Sequence, residues 1–407
     1  MSVIALFSAT YCGAEAIAAR LVAETGRTLY TDDDLVARAA TLSGLPTEQL
    51  QRCFALEPSV FNPFTRERER CLAWLKLALA ERCRDTDWVL HGFSSHLLPP
   101  SIDHVLHVCL IADAAHRIAA AGGDKKGMRA KALRRIEAED RLRAAWVRSI
   151  KGEDDPWAAS LYDMVVPTHT LDGDRAVALI TKGLAAEAVQ PTDPSRRAAA
   201  DFLKAARIET GLAAMGHAVG VSVAGGAVAL HIDRPVLMRE RLEAELKEAL
   251  ATMNIQEPIT FTVAPTANGG DAYRRYDADR PSKVLLVDDE REFVQTLSER
   301  LGMRDIGSAV AFDGESALEM VAREAPEVML LDLQMPGIDG MEVLKRVKAT
   351  HPEIEVVILT GHGTDSHRQE CLRLGAFAYL EKPVDIEVLS DTLKQANERM
   401  RRNLENK

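Results

Sequence analysis

Between Lys283 and Lys382 the chain alternates short apolar runs with amphipathic stretches. "KVLLVDD", "GSAVAF", "VMLLD", "EVVILT" and "FAYLEKP" have the length and residue types of strands, and helical spacing begins near Glu292, Gly314, Gly340, Ser366 and Ile386. The central runs are apolar at every position, which marks strands covered on both faces, so five βα units predict a doubly wound parallel sheet. Upstream the pattern is again α/β. It gives a strand at 3–8, a helix at 13–25, a helical stretch near 66–84, strands in "WVLHGF" and "HVLHVCLIA", and long helices around 125–150. Residues 197–263 read helix, strand, strand, helix, strand, with Gly225 and Gly226 marking a hairpin.

Two stretches break these periodicities. "PTDPSR" (191–196) and "APTANGGDAYRRYDADRPS" (264–282) are rich in turn-forming and charged residues. They divide the chain into domains at 1–190, 197–263 and 282–402, with a linker at 264–281. Such a division suits a chain of 407 residues, which is long for one core.

Composition narrows the function classes. Apolar residues make up 47% and charged residues 27%, the balance of a folded protein. A net charge of -11 argues against broad binding to nucleic acid or to a membrane surface. The six cysteines are scattered without a metal-type spacing and read as reduced thiols. No leader pattern or membrane-length apolar run occurs, so a cytoplasmic location is expected.

In a doubly wound sheet the functional crevice lies beyond the carboxyl ends of the strands. Asp288 and Asp289 end the first strand of the last segment, Asp332 the third, Thr360 the fourth, and Lys382 with Pro383 the fifth. Three carboxylates at one sheet edge repel one another unless a cation joins them, and Mg²⁺ suits an all-oxygen set. An aspartate there is a competent phosphoryl acceptor, with Lys382 and Thr360 placed to meet phosphoryl oxygens.

"VLLVDDE", "VMLLDLQMPGIDG", "VVILTGHG" and "LGAFAYLEKPVD" resemble the receiver domain of bacterial response regulators, a flavodoxin-like (βα)5 fold. The resemblance implies Asp332 as phospho-acceptor. It implies a Mg²⁺ ion on Asp288, Asp289, Asp332 and the backbone carbonyl of Gln334, with Thr360 and Tyr379 as a switch pair and Lys382 as the phosphate-binding lysine. It also implies a sensor histidine kinase as partner, with self-association through the receiver as a further expectation. His362 reads as a solvated loop histidine.

The first segment, through "TLYTDDDLV", "VLHGFSSHLL" and "AEDRLRAAWVRSIKGEDDPWAASLYDMVVPTHTLD", resembles the cytidylate kinase-like family, a P-loop kinase fold with a basic lid. A phosphate loop wraps an anion with consecutive backbone N–H groups and needs several glycines. Here "SATYCGAEAIA" keeps only Gly13 and places Glu15 at the helix start, and Phe93 stands where the family is expected to carry an arginine. Gly13, Arg117, Arg141 and Arg143 are the residues left for nucleotide or phosphate. A domain without catalysis is expected; the alternatives are a receiver-regulated nucleoside monophosphate kinase and an adaptor or dimerisation module. The αββαβ middle segment resembles a BON-type module. Nothing in the chain resembles a basic recognition helix, so an output other than DNA binding is expected.

Overall fold

The computed structural model describes residues 2–55, 59–84, 87–123, 125, 127–234, 236, 238–263, 273, 275, 281, 283–361 and 364–405, the side chains of 63, 404 and 405 excepted. The chain divides into two compact units, one of residues 1–58 and 68–273, the other of residues 59–67 and 274–407.

The first unit holds two sheets. Strands β1 (Val3–Ser8), β2 (Thr28–Thr31), β3 (Trp88–His91), β4 (Val105–Ile111) and β5 (Met164–Pro167) form a parallel sheet in the order β2-β3-β1-β4-β5. β1 is central and buried along most of its length because it carries no polar residue before Ser8. One face of the sheet packs Phe7, Leu79, Trp88 and Trp146; the other packs Ile4, Leu6, Leu21 and Ile180. Strand β2 follows the first helix and is partly exposed, so its pattern carries little apolar signal.

His96 is buried against the ring of Phe7, with ring centroids 4.4 Å apart, and its Nε2 lies 3.1 Å from the Tyr162 hydroxyl. Burial, aided by Lys151 and His107, pushes the imidazole down to about 3, and burial pushes His107 down to about 4 against the pull of Asp163. The unfolded chain therefore binds more protons than the folded one between these values and the ordinary 6.5. The stability contributed is complete above pH 6.5 and is lost as pH falls. Urea unfolding at pH 5 is expected to show about 2 kcal/mol less stability from His96 alone than at pH 7.5. His96→Gln should flatten that dependence, and an unchanged slope would remove His96 as its source.

Strands β6 (Gly220–Ala224), β7 (Ala227–Ile232) and β8 (Ile259–Val263) form the second sheet, β6 antiparallel and β8 parallel to β7. Helices Asp193–Ala214 and Arg239–Thr252 pack on it through Ile208, Leu212, Leu246 and Leu250. The first of the two expected joints differs from its sequence reading. The Thr192 side chain caps Ser195 N–H and Pro194 sits in the first turn, so 193–196 open a long helix instead of forming an irregular connection. The second joint falls almost wholly outside the described residues, as does His362.

The second unit carries β9 (Val284–Val287), β10 (Ser308–Ala311), β11 (Val328–Leu331), β12 (Glu355–Thr360) and β13 (Ala378–Glu381), all parallel, in the order β10-β9-β11-β12-β13. This is the expected doubly wound sheet. The strand order reverses at β9, so the crevice opens between the carboxyl ends of β9 and β11. Val284 to Val287, Val328 to Leu331 and Val356 to Leu359 are buried, as their unbroken apolar runs require, and the polar ends of β12, Glu355 and Thr360, are buried with them.

Candidate functional site: an acidic pocket at the switch point

At that crevice Asp288 follows β9 and Asp332 follows β11, held by the ladder itself: Asp332 N–H donates to Val287 O at 2.9 Å and Asp288 N–H to Ala311 O at 3.2 Å. Both aspartates are buried, whereas Asp289 is exposed. Ligand atoms of the three carboxylates lie within 4.8 Å of one another. Lys382, placed after β13 by its own N–H bond to Thr360 O at 2.9 Å, reaches into the group. Its Nζ stands 2.6 Å from Asp288 Oδ2, 3.1 Å from Asp332 Oδ2 and 3.1 Å from Glu290 Oε1, and 4.5 Å from the centre of the Phe293 ring.

Burial alone would lower the Lys382 ammonium, but its hydrogen bonds to Asp288, Asp332 and Glu290 outweigh that and carry it well above the usual lysine range. Burial raises the Asp288 carboxyl, although Lys382 and the Glu290 N–H act in the opposite direction and Asp332 adds to the rise. Asp332 Oδ1 accepts N–H bonds from Leu333 at 2.6 Å and Gln334 at 3.3 Å. Among the described residues the pocket thus has one cation, Lys382, for several carboxylates, all of them hard oxygen donors. That is the environment a small divalent ion fits.

Thr360 ends β12 fully buried. Tyr379 sits in β13 opposite Ile358, buried in the same apolar cluster as Leu331 and Cys371, and its hydroxyl has no hydrogen-bond partner among the described residues. It is therefore already turned into the fold. Gln334 is exposed in the loop after β11.

Three features of this pocket lay outside the sequence reading. Glu290 supplies a further carboxylate, and Phe293 offers its ring to the Lys382 ammonium. Gly340 begins the helix Gly340–Thr350 beneath Asp332, where an added Cβ would stand 2.1 Å from Asp332 O and 2.7 Å from Leu333 Cα. The "DG" before that helix was the only signal: Asp339 caps it by accepting from Glu342 N–H at 2.8 Å, and the glycine lets two backbones meet.

The other loop of interest joins β1 to the helix Ala14–Thr25. Gly13 caps that helix at φ 76°, and Tyr11 also has a positive φ of 61°. Arg117 donates from Nε to Thr10 O at 2.8 Å and forms a two-pronged pair with Asp140 at 2.9 and 2.6 Å. Arg143 donates from Nε to Ser8 O at 2.8 Å and pairs with Glu139 at 2.9 Å. Two of the three arginines named for phosphate, Arg117 and Arg143, are thus engaged with backbone carbonyls and carboxylates, while Arg141 is exposed. Beside the loop, Ser8 Oγ lies 3.2 Å from His91 Nε2, and burial lowers the His91 imidazole.

The end of β3 is also filled from within. Asp32 accepts the N–H groups of Phe93 at 2.7 Å and Ser94 at 2.9 Å, and a Cβ on Gly92 would stand 2.2 Å from Asp32 Oδ2. Phe93 belongs to an aromatic cluster with Phe7, Phe54 and Trp146 at 6.0, 5.9 and 6.0 Å. Packing accounts for an apolar residue at that position.

Residues 284–394 match the response regulator receiver domain, and residues 3–170 match the cytidylate kinase-like family. Sporulation initiation phosphotransferase F of Bacillus subtilis (strain 168) is 37% identical over 113 residues, covering 28% of this chain and 91% of that protein. Response regulator MprA of Mycobacterium leprae (strain TN) is 37% identical over 107 residues, 26% of this chain; the chain spans 47% of MprA. A solved response regulator receiver domain protein from Clostridium thermocellum matches 29% of this chain and 96% of its own at 30% identity and a TM-score of 0.29. Among the described residues no helix is long and apolar enough to cross a membrane. The chain belongs to the response regulator receiver family through its C-terminal sheet, and carries a cytidylate kinase-like region ahead of it.

Proposed function

We propose that this protein is a two-component response regulator that takes a phosphoryl group from a sensor histidine kinase onto Asp332. The observation that carries the reading is the cluster of Asp288, Asp289 and Asp332 at the switch point of the sheet, with the Lys382 ammonium between two of them. An Asp332 carboxylate oxygen forms the new bond to phosphorus as the phosphorus–nitrogen bond to the kinase histidine breaks, leaving an acyl phosphate and a free imidazole. Lys382 is within reach of charge developing on the transferred group, and the N–H groups of Leu333 and Gln334 orient the Asp332 carboxyl. Asp288, Asp289, Asp332 and the Gln334 carbonyl would hold Mg²⁺, which when bound neutralises phosphoryl oxygens.

Thr360 and Tyr379 are the residues placed to convert that event into a change of surface. Tyr379 starts buried with a hydroxyl unpaired among the described residues, a state that a new partner or a move toward water would relieve. The first unit is then the output. Its engaged Arg117 and Arg143 support a role other than nucleotide phosphorylation, and the net charge of -11 supports one other than DNA binding.

Incubation of the full chain with a small phosphodonor and Mg²⁺ is expected to label the wild type, and Asp332→Asn is expected to abolish the label. Labelling of that variant at the wild-type level would remove Asp332 as the acceptor.

A further inference from the structure

Within the first unit, the helix Asp193–Ala214, the hairpin of β6 and β7, and the turn at Pro99 and Ser101 surround a cavity of about 560 Å³. That volume is typical of a small-molecule site, and walls drawn from separate parts of the chain suit a compact ligand. The helix contributes two charges to it one turn apart, Arg197, exposed, and Asp201, half-buried. Opposite charges at this spacing ordinarily pair, yet neither is in an ion pair among the described residues. The charges next to them along the helix are already taken. Asp193, one turn before Arg197, holds Arg196 at 3.5 Å, and Lys204, one turn after Asp201, holds Glu257. Around the two charges the same helix presents Ala198, Phe202 and the buried Ala205.

The facing wall is main chain. The hairpin turns through Gly225 and Gly226, both at positive φ (58° and 79°), which makes Ala224 and Ala227 a hydrogen-bonded pair. Alternation along the ladder then directs the N–H and C=O of Val221 and Val223 away from β7, and no other partner for them occurs among the described residues. The cavity therefore offers a guanidinium, a carboxylate, amide donors and acceptors, and an apolar side.

We propose that this cavity binds a small zwitterion with an apolar body, an apolar amino acid or a dipeptide. The ligand's carboxylate meets Arg197 and its ammonium meets Asp201, while its apolar side chain rests on Ala198 and Phe202. The edge of β6 supplies hydrogen bonds to whatever polar main chain the ligand carries. A simple anion would be repelled by Asp201 and a simple cation by Arg197, so the site selects molecules that carry both signs. Because it is lined both by Pro99, ahead of β4, and by the hairpin of the second sheet, an occupied cavity ties the two sheets of the first unit together.

Isothermal titration of the full chain with leucine, phenylalanine and leucyl-leucine tests the proposal and tells a free amino acid from a dipeptide. At least one of them should bind, and its N-acetylated and C-amidated forms, each lacking one charge, should bind about 10-fold more weakly. Arg197→Gln and Asp201→Asn should each weaken the zwitterion by about 10-fold. Without ligand both variants should melt as the wild type does, since neither residue has an ion pair within the fold to lose. In Asp201→Asn the N-acetylated form should bind as well as its parent, because the charge that rejected it is gone. Absence of binding by all of these compounds, blocked forms that bind the wild type as tightly as the zwitterion, or variants that bind as the wild type does would overturn the proposal.

Discussion

Replacing Gly340 by alanine is expected to destabilise the receiver by about 3 kcal/mol, the upper end of what overpacking costs. The reason is a backbone contact. The new Cβ would stand 2.1 Å from Asp332 O, and that carbonyl is part of the chain that positions the Asp332 carboxyl. A flexible side chain could move aside, but here the strand end or the helix must shift. Gly340 is therefore held by steric closeness, without any need for an unusual φ. Gly337 in the same loop is the opposite case, with φ 83° and open space around it. Gly337→Ala should cost only the strain of a left-handed alanine, about 1 kcal/mol. Thermal unfolding of the two variants tests the distinction, and equal losses would refute it. Gly340→Ala should also slow labelling by a phosphodonor, since the displaced backbone carries the acceptor.

Removing the charge of Lys382 is expected to have the largest effect on chemistry, a fall of about 100-fold in the labelling rate for Lys382→Met. The same variant should lose about 3 kcal/mol of stability without divalent ions, because Asp288 and Asp332 remain buried beside each other with their cation gone. Mg²⁺ should then stabilise the variant more than it stabilises the wild type. In the wild type the ammonium already occupies one side of Asp288 and competes with the ion. Melting curves with and without Mg²⁺ measure both quantities. A variant that Mg²⁺ fails to stabilise would show that the carboxylates do not form a metal site.

The acidic pocket was legible in the sequence because each of its members ends an apolar run, and in a parallel sheet run ends converge. Asp288, Asp332, Thr360 and Lys382 could be placed from that rule alone. Glu290 and Phe293 could not, since they lie beyond the strand end and their contact with Lys382 depends on how the next turn is wound. Gly340 was hidden for a related reason. A glycine after an aspartate reads as a helix cap, and only the path of the neighbouring strand shows that no other residue fits.

In the first unit the parallel α/β pattern could be read, although β2 was missed because it lies at an edge and is only partly buried. The fate of Arg117 and Arg143 was not visible, because their partners Asp140 and Glu139 sit on the same basic helix and appear in sequence as ordinary solvated charges. The break at 191–196 was misread for a local reason, as the proline that suggested a joint is the one a helix accepts in its first turn.

Arg117 and Arg143 also have a mechanical consequence. Helix Arg129–Lys151 is fastened to the floor of the first sheet at two points: Arg143 grips the end of β1 directly, and Asp140 grips it through Arg117, which holds Thr10. Lifting the helix away would break several charge-assisted bonds at once in a partly buried setting, a steep barrier compared with the free swing of a solvated arm. The helix and the sheet beneath it consequently behave as one stiff body, better suited to carrying a displacement across its length than to opening and closing over a substrate.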